Sequence, residues 1–144
     1  MTENKNCHSD EFRAGLTRLP RLADPVIQLD LGEELEKLQH AVAWNEASGR
    51  SAKTLAKHAD FRIVLISMKA GSHMDQHHAD GRISIQCLRG RLCIHLPSPA
   101  KAELTTGGLL ILDCGIPHDV DAIEESAFLV TISWQGSRSY GAEE

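Results

Sequence analysis

Apolar positions early in the chain follow a helical period. Leu31, Leu35, Leu38 and Val42 recur at spacings of four, three and four, which sets them on one stripe of an α-helix. Asp30 stands where an N-cap accepts the first free N–H groups, and Glu33 three residues on completes a capping-box pattern. With Ser48 and Gly49 as its stop, the pattern predicts one amphipathic helix over residues 30–49. Residues 1–29 are polar, lack a period and read as an arm.

After residue 50 the period drops to two and turn residues arrive at short intervals. The runs 51–56, 61–69, 73–77, 82–88, 91–96, 102–105, 109–112, 118–122 and 127–134 read as strands. Between them stand Gly- and Pro-bearing turns, such as Ala70-Gly71, Arg89-Gly90 and Gly115 to Pro117. In the last run Phe128, Val130, Ile132 and Trp134 share one face, which is expected to point into a core. In 82–88 the apolar set is Ile83, Ile85 and Cys87, while Arg82, Ser84 and Gln86 take the polar face. Phe61 is also expected in the core. Repeated short strands without intervening helices predict an all-β sandwich or barrel over residues 50–136, with a tail at 137–144.

A length of 144 residues is that of one domain. The net charge of −5 offers no basic platform for nucleic acid, and one helix is too little for a helix-turn-helix. Two Trp, one Tyr and three Phe are too few for a base-stacking shelf. The longest aliphatic runs, 63–66 and 109–112, fall far short of the roughly twenty residues of a spanning helix. The first thirty residues show no signal-peptide or transit-peptide pattern, so the expected location is cytoplasmic, without membrane or nucleic-acid partners. Cys7, Cys87, Cys93 and Cys114 form no metal-type spacing and are expected as free thiols, Cys87 and Cys93 serving as small apolar filler in strands and Cys114 as packing.

Chemistry concentrates in the histidines, of which His73, His77 and His78 lie within six residues. His73, Asp75 and His77 share strand parity and are expected to point the same way. His8, His40, His58 and His95 are read as isolated surface or helix-face residues, and Asp119, Asp121, Glu124 and Glu125 as a solvated face. There is no nucleophile elbow, Walker loop or dinucleotide fingerprint.

Two glycine-bounded motifs carry a resemblance. Gly71 is followed after five residues by His77, with Gly90 closing the segment; Gly107 is followed after five residues by Asp113-Cys114-Gly115, Ile116-Pro117 and His118. Over roughly residues 60–134 the chain resembles the cupin superfamily, in particular small single-domain cupins of the RmlC-like jelly-roll type. The resemblance implies an all-β cupin double-stranded β-helix, or jelly-roll barrel, here with one N-terminal helix. In that family the first motif supplies two histidines and a carboxylate to a metal, and the second motif a third histidine. In this chain His77 and His118 match, whereas Ala79 takes the second histidine's place. Ile83 stands at the glutamate's place, or Arg82 under the shorter spacing.

The resemblance therefore implies a small-molecule-binding cupin with an incomplete metal site, its pocket at the barrel mouth lined by His77, Ile83, Ile85, His118 and Arg82. The alternative is a metal-dependent enzyme, a dioxygenase or isomerase. It would hold one divalent iron, nickel, manganese or zinc ion through His77 and His118, with His78, Asp80 or Asp75 as a non-standard third ligand. A third possibility is a metal-free, epimerase-like enzyme with His77 or His118 as general base. The cofactor is accordingly none or a single divalent metal ion, and the partners are a small-molecule ligand and a second copy in a homodimer. The apolar helix stripe is read as favouring that pairing.

Overall fold

The computed structural model describes residues 21–40 and 48–135. Helix α1 spans Leu31–Gln39; the Asp30 carboxylate accepts from the Glu33 N–H at 3.0 Å, so the expected cap forms. The helix closes at His40, whose N–H reaches the Glu36 and Lys37 carbonyls. It is therefore shorter than the expected 30–49, and the continuation through Val42 lies outside the described residues, as do most of the arm and the tail.

Among the described residues nine strands follow: β1 (Arg50–His58), β2 (Phe61–Met68), β3 (His73–His77), β4 (Arg82–Arg89), β5 (Arg91–His95), β6 (Lys101–Thr105), β7 (Leu109–Leu112), β8 (His118–Ala122) and β9 (Ser126–Ser133). They form two antiparallel sheets, one ordered β1-β2-β9-β4-β7 and the other β3-β8-β5-β6. The runs read from alternation correspond to these strands to within a residue or two at their ends. Alternation also sets the layers. Ile66, Met68, Ile85, Cys87 and Phe128 of the first sheet meet Leu92, Ile94, Val120 and Ala122 of the second in the core between them.

The other face of the five-stranded sheet is covered by α1. Leu35 and Leu38 pack with Leu55, Leu65 and Ala127, so the apolar stripe expected to favour pairing is buried on this chain's own barrel. Glu34, 6 % exposed, is held by the Lys53 ammonium at 2.6 Å, which satisfies the charge that the helix carries onto β1. Trp134 lies beyond β9 under the Arg62 guanidinium rather than in the core, and Phe61 is half-buried.

The passage between the sheets from β4 to β5 turns on Gly90. Its φ of +93° lies in the left-handed region, and a Cβ there would run into the Glu125 carbonyl and the Ser126 hydroxyl. The Ser126 Oγ accepts from the Arg91 N–H at 2.9 Å, tying the turn to the start of β9. Gly90→Ala combines a left-handed residue with a backbone collision and is expected to cost at least about 2 kcal/mol. Urea unfolding of parent and variant, compared at their midpoints, checks this.

Candidate functional site

A cavity of ≈ 180 Å³ lies between the two sheets. Val64 and Ile66 of β2, Ile85 of β4, Phe128, Val130 and Ile132 of β9, and Met74 and Val120 of the opposing sheet form its apolar wall. The polar side chains in its lining are His77 and His118.

His118 opens β8 directly after the Gly115-Ile116-Pro117 turn. Gly115 takes a φ of +75°, and its N–H donates to the Ala79 carbonyl at 2.9 Å, which joins this turn to the one between β3 and β4. His77 ends β3 and is registered on His118 across the strands. Between Met74 and His77 the pairing carries an irregularity, three steps on β3 matching two on β8. This bulge cancels the expected common parity of His73, Asp75 and His77. His73 faces outward against Asp121, while His77 turns inward with Met74 to line the cavity.

The two rings lie 4.3 Å apart between centroids and are tilted by 59°. Each has its Nδ1 committed to a backbone carbonyl, His77 to Asp75 and His118 to Ile116, both at 3.0 Å. A carbonyl oxygen only accepts, so in the neutral ring Nδ1 carries the hydrogen and Nε2 keeps the lone pair. His118 is 2 % exposed, and burial pushes its pKa below the ordinary 6.5, opposed by the Ile116 hydrogen bond and reinforced by His77. The site thus places two imidazoles in the lining of an otherwise apolar chamber.

Of the expected pocket residues, His77, His118 and Ile85 come together. Ile83 is buried in the same core but does not form the cavity wall. Arg82 belongs to the outer face of β4 by the strand's alternation; its side chain is exposed and pairs with Asp113 at 3.0 Å, which corrects its expected place in the pocket. Together with the Cys114 N–H, that guanidinium holds the Asp113 carboxyl below its usual range, the N–H being the larger influence. His78 and Asp80 are exposed in the turn after β3, and the Asp75 side chain is 96 % exposed on the opposite side from His77.

The residues do not fit a resident divalent metal. Among the described residues no group of three or more His, Cys, Asp or Glu side chains is placed to hold one. His77 and His118 supply two nitrogens, and the half-buried Ala79 and the buried Ile83 stand where further ligands would have to be.

Sequence reasoning missed a second grouping, on the outer face of the four-stranded sheet. His73 Nδ1–H donates to Asp121 and His95 Nδ1–H to Asp119, each at 2.6 Å, so His95 and the two aspartates are partners and not isolated surface groups. The Asp121 hydrogen bond raises the His73 pKa. Parity places Asp119 and Asp121 on one face of β8, but only the strand order β3-β8-β5 shows which histidines they meet. Cys87 and Cys93 are free thiols, as is Cys114, which is exposed instead of packed.

No family model matches the chain, and no curated protein matches it. Solved structures do. An RmlC-like cupin protein from Desulfovibrio desulfuricans shares 26 % identity over 67 % of this chain and 92 % of its own, with a TM-score of 0.58. A cupin superfamily protein from Desulfitobacterium hafniense covers 81 % of this chain and 98 % of its own at 16 % identity and a TM-score of 0.63. A salicylate 1,2-dioxygenase variant from Pseudoaminobacter salicylatoxidans matches 83 % of this chain over 38 % of its own, at 12 % identity and a TM-score of 0.69. These neighbours share the jelly roll of two antiparallel sheets on which the glycine-bounded motifs carrying His77 and His118 are laid out, and the fold of the chain is that of the cupin jelly rolls.

Proposed function

We propose that this cupin binds a compact, largely apolar small molecule that presents one hydrogen-bond donor to His118 and His77. The observation that carries this reading is the cavity itself: ≈ 180 Å³, walled by aliphatic side chains and Phe128, with its two imidazoles held in the tautomer that accepts at Nε2. A dry apolar cavity of about 150 Å³ is known to admit benzene, so this chamber has room for one six-membered ring with a small substituent. A ligand with a hydroxyl at the imidazole end satisfies the lone pairs and leaves the rest of its surface against carbon. A purely apolar ligand of the same size would leave the buried His118 acceptor without a partner, at a cost of about 1–3 kcal/mol.

Phenol and toluene, equal in heavy atoms, make the comparison. Phenol is expected to bind the parent about tenfold more tightly than toluene, as one net hydrogen bond would provide, and His118→Leu is expected to reverse that preference. Titrations followed by NMR or calorimetry read both ratios, and equal preference in parent and variant would remove the proposed role of His118.

The pH dependence follows from the direction of the His118 shift. Its folded pKa lies below 6.5, so the ring stays an acceptor while an unfolded chain has already taken up a proton. The stability it contributes is complete above about 6.5 and is lost as pH falls through the lowered folded value. Phenol affinity is expected to hold through pH 6.5 and fall only at more acidic pH, and the stability difference between parent and His118→Gln is expected to shrink over the same acid range. Denaturation and binding curves collected from pH 8 to pH 4.5 check both.

The donor set also bears on the metal-dependent alternative. After incubation with iron, nickel, manganese or zinc and desalting, plasma mass spectrometry is expected to find no stoichiometric metal. One equivalent in the parent, absent from a His77→Ala/His118→Ala variant, would replace the binding reading with that of a metal-dependent cupin enzyme.

A further inference from the structure

The outer face of the four-stranded sheet carries a reactive arrangement separate from the cavity. Along β5, Leu92 and Ile94 are buried between the sheets, so Cys93 and His95 project from the opposite face, where both are half-buried. On the neighbouring β8, Asp121 is registered on Cys93 and Asp119 on His95. The His95 Nδ1 lies 2.6 Å from Asp119 Oδ1 and 3.6 Å from Asp121 Oδ2, and the Cys93 Sγ lies 3.8 Å from His95 Nε2. A carboxylate only accepts, so Nδ1 carries the ring hydrogen and Nε2 turns its lone pair toward the thiol. Thiol, base and a carboxylate that orients the base stand in the order that activates a nucleophile.

Other charged groups face this trio from every adjoining strand. On β6, Lys101 is registered on His95 and Glu103 on Cys93. The Glu103 carboxylate is in turn an ion-pair partner of Arg91 at 3.2 Å, though the Arg91 Nε–H is not aligned for a hydrogen bond. On β3, His73 donates to Asp121 at 2.6 Å and approaches Asp75 at 3.5 Å. Each carboxylate registered on Cys93 therefore has a basic partner of its own, which offsets its repulsion of a developing thiolate. The two other described cysteines lack this setting: Cys87 is buried, and Cys114 is exposed beside the Asp113 carboxylate.

We propose that Cys93, His95 and Asp119 form a base-activated thiol site that exchanges with low-molecular-weight disulfides. His95 Nε2 takes the Sγ proton as the Cys93 sulfur attacks one sulfur of the disulfide. A bond forms between those two sulfurs, the disulfide's own S–S bond breaks, and the departing thiolate receives the proton from His95. Cys93 is oxidised to a mixed disulfide, and half of the small disulfide leaves reduced as a thiol. The half-buried thiol and the half-exposed imidazole suit a small solvent-borne disulfide, and the step uses neither His77 nor His118.

The full chain, reduced and then exposed to oxidised glutathione at pH 7, provides the test, with mixed disulfide at Cys93 and at Cys114 quantified by peptide mass spectrometry over time. Cys93 is expected to react at least about tenfold faster than the more exposed Cys114, a conservative share of what a positioned base contributes. In urea the two rates should converge. His95→Gln should bring the Cys93 rate down to about that of Cys114 while leaving Cys114 unchanged. A Cys93 rate no greater than that of Cys114 in the folded parent overturns the proposal, as does a Cys93 rate untouched by His95→Gln in a variant whose Cys114 rate matches the parent's.

Discussion

One extra residue in the ladder between β3 and β8 decides what this barrel can hold. Met74 pairs with Val120 and His77 with His118, so the chain advances three residues on β3 for two on β8. Without that bulge the strict alternation of β3 would carry His77 to the outer face with His73, and the buried His118 would have an aliphatic chamber to itself. With it, two imidazoles meet at 4.3 Å while Met74 still fills the core. The Asp75 carbonyl then accepts from His77 Nδ1 and sets the tautomer. The same bulge excludes Asp75 as a partner of His77 by sending its side chain into solvent.

On β8, alternation does the complementary work. His118, Val120 and Ala122 face inward and are buried, whereas Asp119 and Asp121 face outward and collect His95 and His73. A single five-residue strand thus serves an apolar chamber on one side and a charged, hydrogen-bonded face on the other. The two sides impose opposite electrostatics. Burial disfavours the His118 imidazolium, while hydrogen bonding to Asp121 favours that of His73. Two histidines on adjoining strands are therefore shifted in opposite directions by the face each occupies.

Most of this architecture is legible in the sequence, because alternating runs separated by Gly and Pro specify strands locally. The cap at Asp30 and the inward set on β4 were legible for the same reason, since each depends on residues close in sequence, whereas His77 and His118 stood out through the resemblance that the two glycine-bounded motifs carry. What was not legible depends on register and strand order. His73 and Asp121 are 48 residues apart and His95 and Asp119 are 24 apart, and they meet only because β8 lies between β3 and β5. The bulge likewise leaves no mark in the alternation of 73–77 itself. Cys114 was misplaced because an exposed turn and a strand end look alike in so short a motif, and what the helix stripe covers was open because its target, the outer face of β1 and β2, is itself a product of the fold.

The residues that replace the motif's missing ligands bear on what the chamber accepts. A dication held by two neutral imidazoles would keep its full charge among aliphatic walls, and transferring such a charge from water is costly unless anionic or further neutral donors surround it. Here Ile83 is buried in the core at the position that would supply the anion, Ala79 is too short to donate, and the nearest outward carboxylate of the turn, Asp80, is solvated. A neutral ligand meets none of these costs. It needs to bring only one donor to lone pairs already oriented by Ile116 and Asp75, and carbon surface to match Val64, Ile66, Phe128 and Val130. Ala79 and Ile83, which leave the metal motif without further donors, and the aliphatic wall around His77 and His118 thus act in the same direction, and this is why the loss of the ligands and the proposed preference for a compact hydroxylated molecule belong to one physical argument.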